Sequence, residues 1–308
     1  METKLLPRNA LVAATFTAMH PNGTLNLSAI GHQASILQED GVAGAFICGT
    51  TGEGPSLSSV ERMQIAESWR ASVRLGALKV IVHVGHNSLP EAVSLAKHAE
   101  TIGADAISIA APNYFKAQSV DDLLSFCVPV AKAAPSLPFY FYEIPSLTGV
   151  SVSMTEFLEK SSHMIPNMAG IKFSSTDMAV MQECCAFGNG RFEVLFGCDE
   201  MLLAALALGV HGAVGSTYSY AAPLYNKMIA AFDQGNLSEA RALQLKSVEL
   251  VRILQHYGVL ASGKAAMSCR GIECGSVRPP LHPLTEPQRQ ALLGSLGRSG
   301  VFREIVRR

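Results

Sequence analysis

The sequence predicts an α/β fold, a closed (β/α)8 barrel with a C-terminal helical extension, and three observations carry that prediction. Short apolar runs of strand character alternate with amphipathic helical stretches, the pattern of a parallel sheet with crossover helices. There are eight such runs, the number that closes on itself. Five of them end in polar or glycine-rich residues, as expected where strand ends and loops build a site.

Taken in order, the runs are 11–16, 44–48, 80–84, 106–110, 139–142, 169–173, 194–196 and 213–215. Helix starts lie between them: Ser58-x-x-Glu61, Ser88-x-x-Glu91 and Ser153-x-x-Glu156 each fit a capping box, in which hydroxyl and carboxylate satisfy each other's orphan backbone N–H groups. Eight strand–helix units give a TIM barrel. After residue 220 no strand is expected. Residues 224–232, 237–256 and 263–268 read as helices, and Pro279, Pro280 and Pro283 break the chain before a last helix at 286–296. Residues 1–308 are expected to form a single domain, with the barrel over about 8–220 and the helical extension over about 221–308 packed on it.

Two stretches imitate other structures. Residues 10–16 follow Lys4 and Arg8 like a short secretory leader, but Met19-His-Pro-Asn-Gly23 then makes a turn rather than a cleavage site, which favours a first strand. Met201 to Asn226 has no Asp, Glu, Lys or Arg and is long enough to span a bilayer. Gly209, His211, Gly212, Gly215 and Pro223 divide it into helix, strand and loop, so it is assigned to the barrel.

Composition narrows the function. Apolar residues make up 48% and charged residues 16%, enough for a large core and a surface partly covered by partner subunits. Net charge is −1, and no basic stripe carries interleaved aromatics, which speaks against nucleic acid and other polyanions. Arg303, Arg307 and Arg308 read as a frayed terminus. The seven cysteines are odd in number and lack CxxC spacing, so they are read as reduced thiols of a cytoplasmic protein.

Lys172, in Met168-Ala-Gly-Ile-Lys172-Phe173, stands apart from the other nine lysines, which sit mostly among polar neighbours or on helical faces. A lysine amine ordinarily titrates near ~10.4 and cannot attack a carbonyl while protonated. Dry surroundings disfavour the ammonium and prepare the free amine that Schiff-base chemistry needs. The rival is a strand-end lysine that snorkels to water or pairs with a carboxylate. Four further loops converge with it: Gly49-Thr-Thr-Gly-Glu53, Tyr142-Glu-Ile-Pro145, Gly197-Cys-Asp-Glu200 and Gly215-Ser-Thr217.

These residues resemble the pyruvate-dependent Schiff-base aldolase and lyase family that includes dihydrodipicolinate synthase and N-acetylneuraminate lyase. Gly49-Thr-Thr-Gly-Glu53 matches its carboxylate loop, Tyr142-x-x-Pro145 with Thr148-Gly149 its tyrosine motif, and Gly170-Ile-Lys172 its Schiff-base strand. Within the family, residues 142–149, 195–200 and 212–218 look like the animal type of N-acetylneuraminate lyase. The resemblance implies cleavage of N-acetylneuraminate to pyruvate and N-acetylmannosamine, with Lys172 forming the imine and Tyr142 assisting proton transfer. It assigns Thr50 and Thr51 to the substrate carboxylate, and Asp199, Glu200, Ser216 and Ser174 to the polyhydroxyl tail, with Gly197 and Gly215 allowing close approach. No metal or organic cofactor is expected, and a homotetramer is implied. Glu53 is expected to fasten its loop, and a helix-capping role competes for Asp199.

Three positions depart from the family pattern. Leu147 stands where dihydrodipicolinate synthases usually carry an arginine, Phe115 replaces the second of two tyrosines, and Glu143 stands where His or Asn is expected. Two other enzyme readings remain: the same imine chemistry on another 2-keto-3-deoxy sugar acid or hydroxy-keto acid, and a metal-dependent aldolase. For the latter His83 and His86 are the best ligands, but three apart on a strand they would face opposite ways. A non-catalytic keto-acid-binding regulator is the alternative from another class.

Overall fold

In a computed structural model that describes residues 4–74 and 76–301, eight parallel strands close into a barrel in chain order, with the first paired to the eighth. They are β1 (Ala10–Ala14), β2 (Gly44–Ile47), β3 (Lys79–His83), β4 (Ala106–Ala110), β5 (Phe139–Glu143), β6 (Met168–Phe173), β7 (Glu193–Phe196) and β8 (Gly212–Gly215). The predicted runs find their strands, with ends displaced by one or two residues. Arg303, Arg307 and Arg308 lie outside the described residues.

The helices are α1 (Ala29–Glu39), α2 (Ser59–Ser72), α3 (Leu89–Thr101), α4 (Val120–Lys132), the single turn α5 (Pro145–Thr148), α6 (Met154–Met164), α7 (Met178–Ala186), α8 (Leu202–Ala207), α9 (Tyr218–Asp233), α10 (Leu237–Tyr257), α11 (Val259–Ala266) and α12 (Glu286–Ser299). Of the three expected capping boxes only Ser58/Glu61 is complete. Ser153 accepts from Glu156 N–H, but the Glu156 carboxylate pairs with Lys160 instead of closing the box. Ser88 makes no side-chain cap: its N–H donates to His86 Nδ1 at 2.9 Å, and the Glu91 carboxylate accepts from the Ser59 hydroxyl at 2.5 Å. The uncharged stretch from Met201 to Asn226 is divided among α8, β8 and α9, and no helix among the described residues is long and apolar enough to cross a membrane. α9 packs on β1, so part of the segment assigned to the extension serves as the barrel's eighth helix.

Alternation along each strand separates two apolar layers. Val12, Phe46, Ile81, Tyr140, Tyr142, Leu195 and Val214 form the inner cluster, while the opposite strand faces pack against the helices. At the barrel floor Glu193 accepts from the Tyr140 hydroxyl and from Leu6 N–H, with His211 Nε2 3.1 Å away. Lys172 is in register with Tyr142 on the adjacent parallel strand, so both side chains share the inner face.

The C-terminal helices reach back to the barrel mouth through one buried ion pair. Lys264 on α11 lies 2.5 Å from Glu53 Oε1 and donates to the Ser276 carbonyl at 2.7 Å. Glu53 Oε2 accepts Arg278 N–H at 2.8 Å. Glu53 has φ 55°, a left-handed conformation that a non-glycine residue keeps only when its surroundings hold it. Lys264, one of the lysines read as lying mostly among polar neighbours or on helical faces, is 2% exposed and paired with Glu53. Removing one partner of a buried pair leaves the other charge uncompensated, so Lys264→Met is expected to cost about 3–5 kcal/mol. A urea-denaturation midpoint unchanged from that of the unsubstituted protein would show that the pair does not hold the extension down.

Candidate active site

Lys172 reaches into the barrel's C-terminal mouth and is 4% exposed. Its Nζ lies 3.9 Å from the centre of the Tyr142 ring and 4.5 Å from that of Phe46. Phe46 and Tyr142 meet edge to face at 5.7 Å, and the His83 ring stands edge-on to Tyr142 at 6.0 Å. Among the described residues no carboxylate pairs with Lys172. The amine thus sits in an aromatic enclosure, away from bulk solvent.

Tyr142 links this lysine to the carboxylate loop. Its hydroxyl is 3.3 Å from Thr50 Oγ1, and either group can donate. The loop is built for curvature: Cys48, the residue after β2, has φ 56°, and a Cβ on Gly54 would overlap the Cys48 carbonyl. Gly54 N–H and Glu53 N–H turn back onto the carbonyls of Gly49 and Thr50 at 3.0 Å each. Thr17 Oγ1 donates to the Gly52 carbonyl at 2.7 Å, and Thr51 is buried. Glu53 fastens the loop from behind, as expected of it.

A cavity of about 410 Å³ opens beside Thr50 and Tyr142. Its walls include His83, His86, Asn87, Leu147, Leu260 and Leu281, so the exposed Leu147 offers apolar surface where an arginine would offer charge. Lys172, Ser174, Asp199 and Ser216 are not among its walls; Tyr142 belongs both to the cavity and to the lysine enclosure. A larger groove of about 730 Å³, running past Asn22, Glu61 and Arg278, contains none of the candidate residues.

The late strands place the remaining candidates. Asp199 opens a 3-10 turn (Asp199–Met201), and its Oδ2 accepts from Thr217 N–H at 3.0 Å and Thr217 Oγ1 at 2.6 Å. It does not cap the following helix; it ties the end of β7 to the end of β8. Its Oδ1 is buried, meets no hydrogen-bond partner of good geometry among the described residues, and occupies the space left by Gly215, where a Cβ would overlap it. Burial pushes this carboxyl up to about 6, against the Thr217 hydrogen bonds and the attraction of Lys172. Gly197 plays the same part for Ser174, whose Oγ fills the room that a Cβ would take and has no partner. The two glycines therefore admit protein side chains, a requirement met without any ligand. Glu200 and Ser216 are half-buried in the same region.

His83 and His86 both line the cavity, because the chain leaves β3 at His83 and the opposite-face argument no longer applies. His83 Nε2 accepts Ala110 N–H at 3.2 Å and His86 Nδ1 accepts Ser88 N–H at 2.9 Å. Burial, with the nearby charges of Arg62 and Lys172, holds His83 well below the usual histidine range. Three contributors escaped the sequence reading: Phe46 and His83 as walls of the lysine enclosure, and Thr217 as the donor to Asp199. The first two are the inward-facing residues near the ends of their strands, a signal that strand alternation carries. Thr217 has no such signal, since its role depends on a contact 18 residues away.

Phe115 and Tyr114 project from the loop after β4, edge to face at 5.0 Å, with Phe115 86% exposed. The loop thus ends in a phenyl ring rather than a second hydroxyl.

With this geometry in view, the likenesses to other proteins converge. The model of the Dihydrodipicolinate synthetase family matches residues 8–297. The N-acetylneuraminate lyase of Rattus norvegicus is 45% identical over 283 residues, covering 90% of this chain and 88% of that one. The Homo sapiens N-acetylneuraminate lyase is 43% identical over 284 residues, covering 91% and 88%. The solved Proteus mirabilis N-acetylneuraminate lyase has a TM-score of 0.93 at 39% identity, covering 96% of this chain and 100% of that one. A barrel of this topology, a buried lysine beside a strand-end tyrosine and a family match over almost its whole length lead to one conclusion: the chain belongs to the dihydrodipicolinate synthetase family.

Proposed function

We propose that the chain is a Schiff-base lyase that reversibly cleaves N-acetylneuraminate to pyruvate and N-acetylmannosamine. The observation that carries this reading is Lys172, an enclosed amine without a carboxylate partner among the described residues, in register with Tyr142 at the mouth of the barrel.

In the proposed reaction the neutral Lys172 amine adds to the C2 ketone of the open-chain sugar acid, and the resulting carbinolamine takes up a proton and loses water, giving a cationic imine. The C4 hydroxyl gives up its proton, with Tyr142 assisting the transfer, and C4 becomes an aldehyde carbon. The C3–C4 electron pair moves into the imine, leaving a pyruvate enamine and freeing N-acetylmannosamine. Protonation at C3 and hydrolysis then release pyruvate and restore the amine. The imine is the electron sink, so the proposal calls for no metal or organic cofactor. Thr50 and Thr51 hold the carboxylate with hydroxyl and N–H groups in a turn. Asp199, Glu200, Ser174 and Ser216 meet the hydroxyls of the tail, and Gly197 and Gly215 make room for two of them.

Leu147 in place of an arginine supports a substrate with a polyol tail rather than a second carboxylate. A homotetramer in the cytoplasm, with the helical extension as part of a single domain, belongs to the same proposal. The exposed Tyr114 and Phe115 and the seven unpaired cysteines support it.

Borohydride reduction in the presence of pyruvate is expected to leave one pyruvyl adduct, on Lys172, by peptide mass mapping, and none in Lys172→Ala. An adduct on Lys264 would overturn the assignment. Tyr142→Phe is expected to keep the trapping reaction while lowering kcat for sugar-acid cleavage by about 10²–10⁴-fold, the usual worth of a positioned acid–base group. Steady-state assay of pyruvate release checks this, and an unchanged kcat would remove Tyr142 from the proton transfer.

A further inference from the structure

Glu143 is the last residue of β5, one beyond Tyr142, and so faces away from the barrel interior. Its main chain and its side chain engage one donor. Ser174 N–H lies 3.0 Å from the Glu143 carbonyl and 3.2 Å from Glu143 Oε2, and Ser175 N–H also bears on the carboxylate. Ser174 follows β6 directly, two residues past Lys172. Its hydroxyl is buried, lacks a partner and overhangs Gly197. A buried hydroxyl left unpaired is costly, and a ligand hydroxyl would complete it. The Glu143 carboxylate therefore grips the backbone that decides where this hydroxyl points.

We propose that Glu143 is a positioning residue for the substrate tail: through the backbone of Ser174 it holds the Ser174 hydroxyl toward the bound sugar acid, and its charge state makes tail recognition depend on pH. This rests on the lyase reading, in which Ser174 meets a hydroxyl of the tail.

The groups that face Glu143 are Asp177, which caps α7, Cys184 on α7, and Cys198 after β7. Burial holds both thiols up near about 12, so they stay neutral around neutrality. Burial, together with the Asp177 carboxylate, pushes Glu143 up to about 7 against the pull of the two N–H groups. Above that pH the carboxylate is charged and accepts from both donors. Below it, one oxygen becomes a hydroxyl facing a donor, and part of the grip is lost. A histidine at this position would gain charge as pH falls, and an asparagine would not titrate. The glutamate sets the sign of the response.

The test measures KM and kcat for N-acetylneuraminate, and pyruvate trapping by borohydride, for the unsubstituted protein, Glu143→Gln and Glu143→Asp between about pH 5.5 and 8.5. The KM ratio of Glu143→Gln to the unsubstituted protein is expected to be roughly five-fold near pH 8, the loss of one charge-assisted hydrogen bond. It should approach one below about pH 6, with kcat and trapping unchanged and with Glu143→Asp keeping the pH dependence. Titration of Asp199 is common to both proteins and divides out of the ratio. A KM ratio that does not vary with pH overturns the proposal, as does a parallel fall of kcat and trapping at every pH, the mark of a merely structural role. Amide exchange at residues 174–176 needs no substrate: protection, corrected for intrinsic rate, should fall through pH 7 in the unsubstituted protein and stay low in Glu143→Gln. Equal protection in both overturns the grip. Absence of any pyruvate adduct on Lys172 in the unsubstituted protein would instead overturn the lyase reading, and the exchange measurement would still decide on Glu143.

Discussion

The constraint on which the mouth of this barrel depends is the burial of two lysine amines in opposite circumstances. Taking an ammonium out of water is tolerated when a counter-charge and hydrogen bonds come with it. Lys264 meets that condition through Glu53 and the Ser276 carbonyl, and the outcome is structural: the helical extension is tied to the loop that carries Thr50 and Thr51. Lys172 is nearly as buried and has two aromatic faces in place of a carboxylate. A residue so placed adds little to the fold that an apolar side chain would not add better. Chemistry accounts for its presence where stability does not.

The second feature of the mouth is how small residues make room for polar ones. Asp199 and Ser174 each project a polar atom, buried and unpaired, into a gap that exists because Gly215 and Gly197 lack a Cβ. A well-packed interior has few such atoms, and these two lie at the ends of neighbouring strands on the rim that bears Lys172. Thr217 fixes one oxygen of Asp199, and Ser247 on α10 donates to the Asp199 carbonyl at 3.0 Å. The turn is therefore clamped from the barrel and from the helical layer together. What is left unsatisfied is held rigidly, which is what selective recognition of hydroxyls requires.

Much of this was legible in the sequence because strand alternation and loop chemistry are local. The eight strands, the lysine on the sixth and the tyrosine on the fifth follow from short windows, and so does the glycine-bounded loop after β2. Contacts between distant segments were not legible. Ser88 looks like a capping residue until Glu91 is found bonded to Ser59 on the neighbouring helix. Gly197 and Gly215 read as openings for a ligand until Ser174 and Asp199 are seen to fill them. Lys264 reads as one more helical lysine until its partner, 211 residues earlier in the chain, is known to be Glu53. Each of these differences has the same origin: the deciding neighbour is chosen by the closed topology, and nothing in the local window announces it.

The placement of Tyr142 bears on how a substrate would enter. Its ring covers the Lys172 nitrogen on one side and walls the cavity on the other, so the cavity ends at the tyrosine rather than at the amine. Besides its edge contacts with Phe46 and His83, two polar interactions bear on the ring. Its contact with the lysine is worth at most about 2 kcal/mol even for a charged amine, and its 3.3 Å approach to Thr50 is a long hydrogen bond worth about 1 kcal/mol. Neither is large beside what an incoming carboxylate would gain on the Thr50–Thr51 loop through charge-assisted hydrogen bonds. Occupation of that loop would compete for the Thr50 hydroxyl and so free the Tyr142 hydroxyl. The hydroxyl freed from Thr50 is the group that the proposed proton transfer calls for, so in that proposal binding of the carboxylate would also prepare the acid–base group.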